Sequence, residues 1–144
     1  MAQNIYRERD YESTVKAVSG SSMFENNAHF LTFCAHYGAF LGKKKKLRNR
    51  GIEINLKTFN PYLKDIFVIA LSDHQDIKLL MDDNKCHDIF EQYANAGLME
   101  IHKQVNKNIV RDPNGVATIT TLLQELRNNI TTVKDNNDLK LPTV

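Results

Sequence analysis

Residues 85–106 read KCHDIFEQYANAGLMEIHKQVN, and their apolar spacing decides the fold. Cys86, Ile89, Phe90, Tyr93, Ala94, Gly97, Leu98, Ile101 and Val105 recur at steps of three and four, which predicts a long amphipathic helix. Asp82, Asp83 and Asn84 supply turn and cap residues in front of it. Ala94 and Gly97 place small residues in the middle of the stripe. A glycine inside a helix costs about 1 kcal/mol relative to alanine. Gly97 therefore implies the close approach of a neighbouring helix, or a break.

The best candidate for that neighbour lies upstream. From Asn27 to Leu41, Phe30, Phe33, Cys34, Tyr37, Phe40 and Leu41 again follow helix spacing. Asn26 or Asn27 can cap its start, and Gly42 is a good terminator. Asp10 to Val18 is a shorter amphipathic stretch, broken by Gly20-Ser21-Ser22. Asn60-Pro61 reads as cap and first helical residue of a helix reaching Leu71. That segment is apolar nearly all round and should be central. Ser72 and Gln75 have capping-box spacing and should open a short helix with Ile77, Leu80 and Met81 inward. Asp112-Pro113 precedes a last helix with Ile119, Leu122, Leu123, Leu126, Ile130 and Val133 on its stripe. Ile52, Ile54 and Leu56 alternate with polar residues, giving one short extended segment near 52–57. The expected fold is mainly all-α: a single-domain, irregular bundle of five or six helices over residues 1–134. Residues 135–144 read as a flexible polar tail.

Composition agrees with one domain. The chain has 144 residues, of which 42% are apolar and 25% charged, as in ordinary globular proteins. The longest apolar run, Ile66 to Leu71, is far too short for a membrane span. Met1 to Asp10 lacks the apolar core of a signal peptide. Cys34 and Cys86 lie within apolar helical patterns and read as reduced, buried thiols, so a cytoplasmic protein is expected.

Charge is unevenly placed. Lys43, Lys44, Lys45, Lys46, Arg48 and Arg50 put six cations into eight positions directly after Gly42. The chain has 19 basic and 17 acidic residues, a net charge of +2; without those six, 13 basic residues face 17 acidic ones, a net −4. A single cationic pole attracts polyanions, and phosphate backbones are the commonest. The helix dipole accounts for one or two lysines after Gly42, but not for six. Because the run is mostly lysine, it offers point charges rather than bidentate forks. It therefore predicts weak, salt-sensitive and sequence-tolerant DNA contact. The competing reading is a solvated charged loop.

Catalytic patterns are scarce. His29 and His36 lie seven apart and can share a face with Thr32, but no two-His-plus-acid spacing and no Cys-x-x-Cys occurs. Cys86 and His87 diverge by about 100° on a helix, so they are no ready nucleophile–base pair. Glu53, Asn55 and Lys57 share a strand face, but a metal-dependent nuclease needs a further carboxylate where Asn55 stands. There is no phosphate loop and no nucleophile elbow. The acids Asp73, Asp76 and Asp82 read as helix caps and a solvated face. A non-enzymatic binding protein without metal or cofactor is expected.

Three stretches resemble a known family. They are Ile5-Tyr6-Arg7, the aromatic helix ending in Ala39-Phe40-Leu41-Gly42 before the basic run, and Ile89 to Leu98. The last is similar to an IFE-x-YANGGL-like run in the small proteins encoded beside bacterial DNA phosphorothioation systems, the Dnd system-associated protein 4 family. The likeness covers roughly residues 5 to 126. It implies an accessory part of a defence module that marks host DNA with backbone sulfur and attacks unmarked DNA. It supplies no catalytic residue. Three roles follow as expectations. One is DNA contact through Lys43, Lys44, Lys45, Lys46, Arg48 and Arg50. The second is an adaptor whose basic loop meets a larger acidic protein of the system, with Tyr93, Asn95 and Gly97 forming a partner or homodimer interface. The third is a small transcriptional regulator with Pro61 to Met81 as its helix-turn-helix, disfavoured by an acidic recognition helix.

Overall fold

A computed structural model describes residues 4–137, and within that span the side chains of Arg50, His74 and 129–137 are not described. The chain is mainly α-helical, with β1 (Ile5–Glu8), α1 (Glu12–Ser19), α2 (Asn27–Leu41), β2 (Arg50–Ile54), α3 (Leu63–His74), α4 (Asp83–Lys107) and α5 (Val116–Asn137) in order. Three 3-10 segments, Arg9–Tyr11, Leu56–Tyr62 and Ile77–Met81, link them.

The helix of residues 85–106 is α4, and it is the axis of the protein. Asp82 caps it by accepting the Lys85 N–H at 3.1 Å. The predicted stripe is buried throughout, and in mid-helix Glu91, Asn95 and Ala96 are buried as well, so α4 is enclosed on nearly every side. Its chief neighbour is α2, capped by the Asn26 side chain on the His29 N–H at 2.8 Å and ended by Gly42 at φ +68°. The two helices cross at their glycines. A Cβ on Gly97 would stand 1.9 Å from the Cys34 carbonyl oxygen, and one on Gly38 would stand 2.1 Å from that of Tyr93. The close approach implied by Gly97 is therefore the α2–α4 crossing, without a break in the helix. Phe59 meets Phe90 edge-on at 5.8 Å to close the core on another side.

Several elements differ from expectation. The extended segment is β2, shifted to residues 50–54, and its partner is β1, a strand not expected from the sequence, just ahead of the stretch that begins at Asp10. The antiparallel register pairs Ile5 with Ile54 and Arg7 with Ile52, then slips between Arg7 and Glu8. That bulge breaks the alternation, so the consecutive side chains of Arg7 and Glu8 are both buried. Arg7 forks onto Glu12 at 2.9 and 3.0 Å. Pro61 does not begin α3; it lies inside the 3-10 turn Leu56–Tyr62, whose cap is Asn55. Ser72 opens no new helix but bonds back to the Ile69 carbonyl oxygen within α3. α3 is less enclosed than expected, with Val68 outward. Ile77 and Met81, expected inward, are 76% and 90% exposed, while Leu79 is the buried member of that turn. The reason is pitch: at 120° per residue Leu79 occupies the inward face alone, whereas α geometry would group Ile77, Leu80 and Met81. α5 continues through residues 135–137, which had been assigned to the tail; the remainder of that tail, 138–144, lies outside the described residues.

Candidate functional site

The basic run crosses α4 as an extended strap between α2 and β2, and its backbone is fastened along its length. Lys43 N–H closes the end of α2 on the Gly38 carbonyl oxygen, and Lys45 N–H bonds that of Gln92 at 3.0 Å. The Asn95 amide, buried in α4, donates to the carbonyl oxygens of Lys45 and Lys46 at 3.1 and 3.3 Å. Its own Oδ1 is buried with no hydrogen-bond partner among the described residues, a cost of about 1–3 kcal/mol that the two donated bonds offset. Farther on, Glu8 accepts the Arg48 and Asn49 N–H groups at 2.8 and 2.6 Å. Only 1% of Glu8 is exposed, so this buried carboxylate is satisfied by strap amides.

The side chains are largely engaged within the chain. Lys43 lies 3.6 Å from Glu100. Lys44 pairs with Asp73 at 3.1 Å and stands over the Tyr93 ring. Lys45 donates to the Tyr11 hydroxyl at 2.8 Å and lies over the same ring, with the Met99 sulfur at 3.2 Å. Arg48 is turned to solvent, its side chain 82% exposed and 3.9 Å from Asp10. Lys46 is exposed and its ammonium makes no hydrogen bond or ion pair among the described residues. Of the five cations whose side chains are described, Lys43, Lys44 and Lys45 reach partners on the body, the first two while still exposed, and Lys46 and Arg48 face water.

Asp73 was read as part of a solvated acidic face; it is instead the hub of this region. It accepts from the Tyr93 hydroxyl at 2.6 Å as well as from Lys44. Burial, the hydrogen bond to Asp73 and the charge of Asp73 together push the Tyr93 hydroxyl up to about 12. Asp73→Asn should bring the ultraviolet-monitored ionisation of Tyr93 back toward 10; no movement would remove the carboxylate as its cause. Asp76 and Asp82 do cap, as expected.

Tyr93, Asn95 and Gly97, expected at a partner or dimer interface, are buried inside the protein. Tyr93 and Gly97 serve the α2 crossing, and Asn95 holds the strap. They are unavailable to a partner in this fold. His29 and His36 do not converge: His29 accepts the Glu25 N–H and stacks on Tyr62, and His36 bonds Asp65 at 2.7 Å. Among the described residues no group of three or more His, Cys, Asp or Glu is placed to hold a metal ion. No helix among them is long and apolar enough to cross a membrane. The segment considered as a helix-turn-helix ends in a five-residue 3-10 turn rather than a recognition helix.

The fold and strap define a small, mainly α-helical protein whose basic segment is part of its own scaffold. The family model for DNA sulphur modification system-associated protein 4 matches residues 4–141, nearly the whole chain. The chain belongs to that family, and its association is with DNA sulphur modification. No curated protein and no solved structure matches it.

Proposed function

We propose that the protein is a non-catalytic adaptor that docks a protein partner of the DNA sulphur modification system, in the cytoplasm, through the 77–81 turn rather than through the basic run. The outward display of Ile77 and Met81 carries this reading. α3 packs against the same turn and itself carries an exposed valine, Val68. Asp76, Asp82 and Asp83 frame the turn, interspersed with Lys78 and Lys85. The complementary surface is apolar with a rim of both charge signs. The family's tie to sulphur modification supports a partner from that system.

Burying one such side chain contributes about 1.5–3 kcal/mol. Ile77→Glu and Met81→Glu should each weaken binding to the cognate protein of the system at least about tenfold, with helix content unchanged. Undiminished binding by both variants would discard this surface.

A second reading, weak DNA contact, is favoured by the exposure of Lys46 and Arg48. Each neutralised phosphate contributes about −0.9 to the slope of log affinity against log salt. Phosphate contact by Lys46 and Arg48 alone gives a slope no steeper than about −2, whereas contact by all six cations of the run gives about −5. A duplex titration across salt that returns the steeper value would restore the basic run as a DNA site and displace the adaptor reading.

A further inference from the structure

Among its described side chains, α5 packs on the body through Ile119 and Leu122, with Leu126 partly buried against the core. Ile119 and Leu122 are buried, and Gly115 before it rests on Val105. Beyond them an open groove of about 810 Å3 separates α5 from α2, lined by Phe33, His36 and Phe40 on one side and Leu123, Leu126 and Arg127 on the other. Phe40 is 47% exposed and Leu123 39%. The helix backbone runs on to Asn137. The apolar spacing runs on with it: Ile130 follows Leu123 by seven residues, and Val133 follows Leu126 by seven.

This pattern is complementary to itself. When two α5 helices lie antiparallel with their midpoint level with residue 128, Leu123 of one is level with Val133 of the other, and Leu126 with Ile130. Twofold symmetry gives each pair twice. The same register brings Lys134 within one turn of Glu125 of the second copy. Glu125 is exposed and has no ion-pair partner among the described residues. We propose that two copies of this chain associate about a twofold axis, the distal half of each α5 lying along the α2–α5 groove of the other. The contact uses none of the residues of the 77–81 turn, so it stands apart from the adaptor reading. A helix face of this length is smaller than a standard interface, and the dimer should dissociate in the micromolar range, on the order of 1–100 µM.

Analytical ultracentrifugation of the full chain from about 1 to about 500 µM should show a monomer–dimer equilibrium. Leu123→Glu and Ile130→Glu should each raise the dissociation constant at least about tenfold, with an unchanged helical circular-dichroism signal. For register, chains carrying Leu126→Cys are mixed with chains carrying Ile130→Cys under mild oxidation; the native thiols, Cys34 and Cys86, are buried. The mixed disulfide should dominate. A monomer at every concentration, a dimer indifferent to both glutamates, or a dominant disulfide between two Leu126→Cys chains would each overturn the proposal.

Discussion

Gly97→Ala is expected to prevent stable folding or to cost at least about 4 kcal/mol. The new Cβ would sit 1.9 Å from the Cys34 carbonyl oxygen and 2.9 Å from the Gly38 nitrogen. Both are backbone atoms of α2, so no side-chain rotation relieves the clash. The two helices must separate, and α2–α4 is the most extensive pairing in the fold. Alanine is intrinsically the better helix former by about 1 kcal/mol, so a loss of stability isolates the packing effect from propensity. Gly20→Ala is the control, since its Cβ would meet nothing closer than 3.6 Å. Urea unfolding of both variants measures the difference. A Gly97→Ala protein within 1 kcal/mol of the parent would show that the crossing is looser than described.

The second large effect is expected at Glu8. Its carboxylate holds two amides of the strap while almost wholly buried. Hydrogen bonds to an ionised acceptor contribute about 1.5–3 kcal/mol each, and some of that returns when the freed amides meet water. Glu8→Ala should therefore cost about 2–4 kcal/mol, and Glu8→Gln, which keeps one acceptor oxygen, less. The strap lies beside Tyr11 and Tyr93 through Lys45 and Lys44, so the alanine variant should also alter tyrosine fluorescence. Unchanged stability and emission would show that the strap holds without Glu8.

The helical frame was legible because its signals are local. The periodicity of 85–106 and 27–41, the Asn26 cap and the Gly42 terminator depend on residues a few positions apart. Gly97 was legible as well, since a costly glycine amid an apolar stripe needs a packing reason. The sheet was not, because Ile5–Glu8 is four residues long and its bulge removes the alternation that marks a strand. Ile77 and Met81 were misplaced because nothing local distinguishes a 3-10 turn from an α-helical one. At the basic run, the contacts that were not legible are long-range ones. Its cations meet acids and a phenol far along the chain: Lys44 reaches Asp73 across 29 positions and Lys45 reaches Tyr11 across 34. A sequence count shows how many charges a segment holds, but not which the body has already engaged. The net −4 of the remaining chain was the available hint, and the fold spends part of it on this strap.

Amide hydrogen exchange along residues 43–49 tests most directly whether the basic run is scaffold. The N–H groups of Lys45, Arg48 and Asn49 all donate to acceptors in other elements. They should exchange slowly, with protection approaching that of α4, and Glu8→Ala should expose the last two selectively. Exchange of all three at the rate of an unstructured peptide would mean a free loop, and the six cations would again be open to phosphate.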